Sequence, residues 1–100
     1  MEHRQLGSTG VNVSEVCLGT AFRGEDDTDA CVRVIDRAID LGCNFIDSAL
    51  YGEGRAERVV GQAIRCKRQE IVLCTKIYGT VFDDPNRDGL TRLNLVRGVD

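Results

Sequence analysis

The fold is decided by residues 44–76, which read NFIDSALYGEGRAERVVGQAIRCKRQEIVLCTK. This stretch opens with the apolar run Asn44–Asp47 and closes with the apolar run Ile71–Lys76, and both are typical of short strands buried on two faces. Between them, the pattern predicts an amphipathic helix over Ala56–Arg65. Its inward residues are expected to be Val59, Val60, Ala63 and Ile64. Gly61 within this helix is expected to let it approach a strand closely.

A similar unit stands upstream of this stretch. Val16–Gly19 is a brief apolar run, and a helix is expected over Asp29–Leu41. Thr28 is expected to cap this helix, and Gly42 to end it in a left-handed conformation. The inward face is expected to carry Cys31, Val34, Ile35, Ala38 and Ile39. The strand-like runs begin near residues 16, 44 and 71, a spacing of roughly 28 residues that fits a strand, a helix and two loops. This regular order predicts a parallel sheet.

Smaller elements flank the repeated units. Arg4–Leu6 and Val11–Val13 enclose a glycine-rich turn and predict a β-hairpin. At the other end, Gly79–Gly89 is polar and contains a strong turn signal at Asp83–Asn86. Thr91 is then expected to cap a further helix. Its apolar residues are Leu95, Val96 and Val99.

The composition is that of an ordinary globular chain. Of the 100 residues, 42% are hydrophobic and 29% are charged, and the net charge is −3. Binding of nucleic acid requires a clustered basic excess, so it is not expected. The first ten residues lack the apolar core of a signal peptide, and no stretch approaches the roughly 18 apolar residues of a membrane helix. We therefore expect a cytoplasmic chain without membrane contact.

The five cysteines carry no expected chemistry. They contain no C-x-x-C pair, and the single histidine lies far from them in sequence. We expect reduced thiols that pack as small hydrophobic side chains, and no metal site.

Candidate functional residues stand at the carboxyl ends of the predicted strands, where parallel α/β proteins bind ligands. They are Gly19 and Thr20, Asp47, and Lys76. Because an unpaired charge at the end of an apolar strand is costly to bury, Asp47 and Lys76 are expected to pair. Tyr51 follows in the next loop. A phenol beside a cation can act as general acid toward a carbonyl oxygen while hydride reaches the carbon. Taken without further comparison, these residues predict a binding site in an α/β protein.

Several short motifs together resemble the aldo-keto reductase family. They are His3–Gly7, Leu18–Thr20, Asn44–Ala49, Tyr51–Gly52, Glu57, Gly61–Ile64 and Cys74–Lys76. The segment Phe45–Ile64 is the specific part, because its acid, its tyrosine and its helix glycine follow the order of the family. The resemblance implies an N-terminal hairpin followed by the first three βα units of a (β/α)8 TIM barrel. Residues 1–100 are then expected to form a partial domain of this family, with the barrel incomplete in this chain.

The resemblance also implies a function. In that family an aldehyde or ketone is reduced to an alcohol by hydride transfer from NADPH, with NADH as the other possible cofactor. By position, Tyr51 resembles the proton donor and Lys76 the cation that stabilises its phenolate. Asp47 resembles the partner of the lysine and a contact to the cofactor. Gly19 and Thr20 resemble residues that lie under the nicotinamide. The implied partner is a small carbonyl substrate, and the oligomeric state is left open.

Two features depart from the family pattern. Three residues separate Asp47 from Tyr51, whereas the family usually has four. One residue fewer shortens the reach of the link by about 3.3 to 3.6 Å. The histidine of the family's catalytic group is expected beyond Asp100, and His3 does not match it.

Three other interpretations each fit part of the sequence. In a Rossmann-type module, the glycines of Gly52–Gly54 would cradle a pyrophosphate, but the third glycine of that motif is absent and Lys76 stands where an acidic residue is needed. The second alternative is a regulatory or interaction protein of the same fold that binds the cofactor. The third is an inactive fragment.

Overall fold

The structure, a computed structural model, describes residues 1–79 and 82–99, which contain two small sheets, three α-helices and a short 3-10 helix at Arg68–Glu70. The strands are β1 (His3–Gln5), β2 (Asn12–Ser14), β3 (Leu18–Gly19), β4 (Phe45–Asp47) and β5 (Val72–Cys74), and the helices are α1 (Thr28–Asp40), α2 (Tyr51–Ala63) and α3 (Arg92–Val99). Thr80 and Val81, within the predicted loop Gly79–Gly89, and Asp100 lie outside the described residues. None of the three helices is long and apolar enough to cross a membrane.

The N-terminal hairpin is present as predicted, displaced by one residue. β1 and β2 are antiparallel, with His3 opposite Ser14 and Gln5 opposite Asn12. Three hydrogen bonds join the hairpin to Asn44, the residue that precedes β4. The Ser14 N–H donates to Oδ1 of Asn44 at 2.7 Å, and the Asn44 N–H donates to Oγ of Ser14 at 3.2 Å. The side-chain amide of Asn44 donates to the carbonyl of Asn12 at 3.1 Å. The hairpin therefore lies at the amino ends of the parallel strands, opposite to the edge where the candidate residues are expected.

The second sheet confirms the predicted parallel arrangement. Its strand order is β3-β4-β5, and both pairings are parallel. Ile46 of β4 lies opposite Leu18 and Leu73, and all three side chains pack with the helices. Because side chains alternate between the faces of a strand, Asp47 points away from this core. One strand thus supplies both a core residue and a candidate site residue.

The start of α1 differs from the prediction by one residue. Asp27, and not Thr28, is the N-cap, because its carboxylate accepts the N–H of Asp29 at 2.9 Å. Both residue types can cap a helix, and an aspartate also carries the charge that suits the positive end of the helix dipole. At the other end, Gly42 has a φ of 94°, as expected for the left-handed residue that ends a helix.

The buried face of α1 is also rotated relative to the prediction. Cys31 and Ile35 are fully buried, but Val34 is 49% exposed and Val32 packs against the core instead. Successive residues of a helix are about 100° apart. The parallel sheet and helix α2 cover only part of the surface of α1. Val34 lies outside the covered part and is exposed, although it is apolar.

Helices α1 and α2 pack together on one face of the parallel sheet. The buried core consists of Cys31, Ile35, Ile46, Val59, Val60, Ile64 and Ile71. The expectation that Gly61 lets α2 approach a strand closely is wrong, because Gly61 is exposed and a Cβ atom built there would meet nothing within 4 Å. The inward positions of this helix are otherwise close to those predicted from the 3.6-residue period.

The last helix begins as predicted, but its apolar residues are not buried. Oγ1 of Thr91 accepts the N–H of Asn94 at 3.2 Å, which confirms the predicted cap. Asn94 is the buried residue of α3, and its side-chain amide donates to the carbonyl of Gly89 at 2.8 Å. The three apolar residues expected on this helix are exposed: Leu95, Val96 and Val99. The predicted turn is also present, since Asp84 accepts the N–H of Asn86 at 2.8 Å.

The rotation of α1 leads to a stability prediction for two adjacent residues. Ile35→Ala should lower the free energy of unfolding by about 2 to 5 kcal/mol, because it leaves a cavity in the core. The matched variant Val34→Ala should change it by no more than about 0.5 kcal/mol, because that side chain is half exposed. Urea denaturation followed by circular dichroism measures both. Equal losses for the two variants would contradict this packing.

Candidate functional site

The carboxyl ends of the three parallel strands meet at one edge of the sheet. Gly19, Asp47 and Cys74 lie side by side in register there. The carbonyl of Asp47 accepts two hydrogen bonds from Thr20, one from its N–H at 3.1 Å and one from its hydroxyl at 3.0 Å. The structure therefore brings the candidate residues of β3 and β4 into direct contact.

Asp47 and Lys76 form the ion pair that the sequence predicts. Nζ of Lys76 lies 2.5 Å from Oδ1 of Asp47 and also donates to the carbonyl of Ser48 at 2.9 Å. This hydrogen bond from Lys76 lowers the pKa of Asp47 below its ordinary value, and in turn it raises the pKa of Lys76. Both side chains remain partly exposed, at 35% for Asp47 and 49% for Lys76. Both groups are thus charged at neutral pH and accessible from solvent.

Tyr51 lies beside this pair. It is the first residue of α2 and is half-buried. Tyr51 and Lys76 border the same cavity, which has a volume of about 270 Å³. The remaining walls are formed by Ala49, Leu50, Tyr78 and Gly79. Tyr51 is also one of the smaller contributors to the raised pKa of Lys76, after Asp47. The link of three residues after Asp47 therefore still places the phenol within electrostatic reach of the ammonium group.

An unusual left-handed turn follows Tyr51. The φ angles of Gly52, Glu53 and Gly54 are 59°, 56° and 82°. Glycine adopts this conformation freely, but a side chain such as that of Glu53 costs roughly 1 to 2 kcal/mol. Two hydrogen bonds hold the turn, from the N–H of Gly54 to the carbonyl of Leu50 and from the Arg58 guanidinium to the carbonyl of Glu53, both at 3.1 Å. Regular helical geometry begins only after this turn, close to the predicted start at residue 56.

Gly19 and Thr20 have different surroundings although they are neighbours. Gly19 is exposed, and a Cβ atom built on it would meet nothing within 4 Å. Thr20 is 1% exposed, and its hydroxyl already bonds Asp47. Gly19 thus offers open backbone to a ligand, whereas the side chain of Thr20 supports Asp47. In residues 1–79 and 82–99, no group of three or more His, Cys, Asp or Glu side chains could hold a metal ion.

The structure adds three residues to this edge that sequence reasoning gave no role. The carbonyl of Ser48 accepts a hydrogen bond from Lys76, Cys74 lies opposite Asp47 and contributes to its lowered pKa, and Glu57 accepts the hydroxyl of Thr75. The two-residue period of a strand could have placed Cys74 on the face of Asp47. No sequence signal marks a backbone carbonyl such as that of Ser48. Glu57 and its partner Thr75 lie on different elements, so no local sequence pattern could have paired them.

Comparison with known protein families gives a match over most of the chain. The model of the Aldo/keto reductase family matches residues 15–100. Among curated proteins, the uncharacterized oxidoreductase YqkF of Bacillus subtilis is 42% identical over 85 residues, which cover 84% of this chain and 27% of that protein. The aldo-keto reductase YhdN of the same organism is 33% identical over 108 residues, covering 100% of this chain and 32% of that protein. A probable voltage-gated potassium channel subunit beta of Arabidopsis thaliana is 36% identical and covers 99% of this chain and 32% of that protein.

Solved structures of similar shape belong to the same group of proteins. The aldo-keto reductase AKR11C1 from Bacillus halodurans in its holo form has a TM-score of 0.76 and 36% sequence identity, over 89% of this chain and 30% of that one. The thermostable aldo-keto reductase Tm1743 in complex with the inhibitor epalrestat has a TM-score of 0.75 and 27% identity, over 97% of this chain and 35% of that one. The α/β fold is therefore similar to part of a (β/α)8 barrel. The chain spans about a third of the length of the curated relatives that it matches.

The Asp47–Lys76 pair leads to a pH-dependence prediction. The contribution of Asp47 to stability is present above the pKa of an unfolded aspartate, about 3.9. It is lost as the pH falls through the pKa of folded Asp47, which is lower. For Lys76 the contribution is present below about 10.4 and is lost as the pH rises through its raised pKa. Lys76→Met removes both contributions and should raise the pKa of Asp47, which carboxyl-carbon NMR titration measures.

The control for this prediction is Lys67→Met, which removes a lysine that pairs with Asp36 at 3.2 Å. It should leave the pKa of Asp47 unchanged, because Lys67 is not among the groups that influence it. The predicted role of Lys76 is wrong if its replacement leaves the titration of Asp47 as it is in the wild type.

Proposed function

This chain belongs to the aldo/keto reductase family, and on that premise we propose that it forms part of an enzyme that reduces an aldehyde or ketone to an alcohol with NADPH. Relatives named as oxidoreductases support oxidation and reduction as the general class of reaction. The observation that carries the proposal is the cavity shared by Tyr51 and Lys76, with Lys76 bound to Asp47. Because the chain spans about a third of its relatives, we assign the activity to the whole protein that contains this partial domain.

Each of the three side chains has a distinct proposed role. When bound, the nicotinamide cofactor supplies the hydride for the carbonyl carbon. Tyr51 donates its phenolic proton to the carbonyl oxygen, so that the product is an alcohol. Lys76 stabilises the phenolate that remains, and Asp47 holds the ammonium group in place at 2.5 Å. The raised pKa of Lys76 supports this assignment, because it keeps the lysine positively charged when the phenol gives up its proton.

The edge of the sheet fits the nicotinamide end of such a cofactor. The exposed backbone of Gly19 leaves room for a flat ring, since no atom lies within 4 Å of the position of a Cβ. The carboxylate of Asp47 is a partly exposed acceptor beside it. We assign the contact to Gly19 and Asp47, and Thr20 takes part by fixing the position of Asp47. NADPH is the proposed cofactor, and NADH is the alternative.

The proposed role of Tyr51 is tested by removing one hydroxyl group. Tyr51→Phe in the protein expressed from its full reading frame should lower kcat for a reactive aromatic aldehyde by about 100-fold or more, because the general acid is lost. The decrease in NADPH absorbance measures the rate. Ser8→Ala is the control, since it removes an exposed hydroxyl in the hairpin at the opposite end of the parallel strands and should leave kcat within about threefold. Undiminished turnover by Tyr51→Phe would rule out this mechanism.

A regulatory or interaction role is the second candidate. It is favoured by the 36% identity over nearly the whole chain to a protein named as a probable voltage-gated potassium channel subunit beta. A regulatory protein should bind NADPH, as calorimetry can measure, without Tyr51-dependent consumption of the cofactor. Binding together with Tyr51-dependent turnover of aldehydes supports the enzyme instead.

A further inference from the structure

A side-chain hydrogen bond joins helix α2 to the strand end that carries Lys76. The hydroxyl of Thr75, the residue directly before Lys76, donates to Oε1 of Glu57. Glu57 lies in the regular part of α2, beyond the left-handed turn 52–54 that follows Tyr51. Glu57, Thr75 and Lys76 also border one cavity of about 190 Å³. The bond thus connects the two elements that carry the proposed proton donor and its cation.

The separation between Tyr51 and Lys76 depends on more than the link that follows Asp47. On the side of the strands, Lys76 is fixed by its bonds to Asp47 and to the carbonyl of Ser48, at 2.5 Å and 2.9 Å. On the side of the helix, Tyr51 is followed by the left-handed turn 52–54, which interrupts the regular helix. The buried residues Ala56, Val59 and Val60 anchor the regular part of α2 that follows this turn. The bond from Thr75 to Glu57 joins this part of the helix to the chain directly after β5.

The charge of Glu57 does not contribute to the raised pKa of Lys76. The pKa of Lys76 is raised first by the hydrogen bond to Asp47, with smaller contributions from Tyr51 and Cys74, and Glu57 is not among the causes. What remains is the geometric effect of the hydrogen bond. An amide oxygen can accept such a bond as well as a carboxylate oxygen can, whereas an apolar side chain cannot.

We propose that Glu57 is a positioning residue, which holds α2 and with it Tyr51 at a fixed distance from Lys76 by accepting the hydroxyl of Thr75. The proposal rests on the proposed reductase function and adds to it a residue that does not touch the substrate. In a constrained active site, a displacement of about 1 Å can cost roughly 100-fold in rate. A single hydrogen bond at this place can therefore influence turnover.

The test compares two variants at position 57 in the protein expressed from its full reading frame. Glu57→Leu removes the acceptor and should lower kcat by about 10- to 100-fold, with KM for NADPH changed by less than about twofold. Glu57→Gln keeps an acceptor oxygen and should stay within about threefold of the wild-type kcat.

The partner residue supplies a second, independent test. Thr75→Val removes the donor and should reproduce the effect of Glu57→Leu. The double variant should be no worse than either single one, because both break the same hydrogen bond. Additive losses would overturn the proposal. Gln62→Leu, an exposed polar-to-apolar change on the same helix, is the matched control and should leave kcat unchanged.

Hydrogen–deuterium exchange gives a readout that does not depend on activity. In Glu57→Leu, exchange should rise in the peptide that contains Tyr51 and the turn 52–54, and stay at the wild-type level in α1. A general loss of stability would raise exchange in both and would overturn the positioning role. The proposed function fails separately if Tyr51→Phe retains turnover. If Tyr51→Phe is inactive while Glu57→Leu has wild-type kcat, the positioning role alone is wrong.

Discussion

Asp47 forms hydrogen bonds to both neighbouring strand ends from its place at the end of the central strand β4. Its carbonyl accepts the N–H and the hydroxyl of Thr20 beyond β3, and its carboxylate accepts Lys76 beyond β5. The hydrogen bonds between the parallel strands fix their register. The bonds of Asp47 also fix Thr20 and Lys76, which lie in the loops after β3 and β5. The positions of the candidate lysine and of the open backbone at Gly19 therefore both depend on one residue of β4.

The same strand connects the site to the core. Ile46 is fully buried against α1 and α2, and the next residue, Asp47, points to the opposite face of the sheet. A charged side chain can stand directly beside the most buried position because the strand alternates its faces. The cost of placing a carboxylate there is reduced by its pairing with Lys76 and by its partial exposure. The stability of the core thus determines how well the site is positioned.

Those parts of the fold that depend on periodicity could be predicted from the sequence. The order of strands and helices, the hairpin and the Asp47–Lys76 pair follow from apolar patterns and from the cost of an unpaired charge. Details that depend on which of two similar neighbouring residues takes a given role could not be predicted. Both Asp27 and Thr28 can cap a helix, and an apolar Val34 is buried only where a neighbouring element covers it. The hydrogen bond of Glu57 needs the relative positions of α2 and β5, which no local pattern contains.

The short link after Asp47 and the left-handed turn after Tyr51 are two parts of one connection. With three residues in the link, Tyr51 stands at the first position of α2, and the chain completes its change of direction after the tyrosine. The glycines of the turn adopt positive φ angles without strain, whereas Glu53 bears a cost that the hydrogen bond from Arg58 to its carbonyl helps to offset. Tyr51 is therefore held from both directions along the chain. A link of three residues is compatible with a phenol at the cavity of Lys76, because Tyr51 and Lys76 border the same cavity.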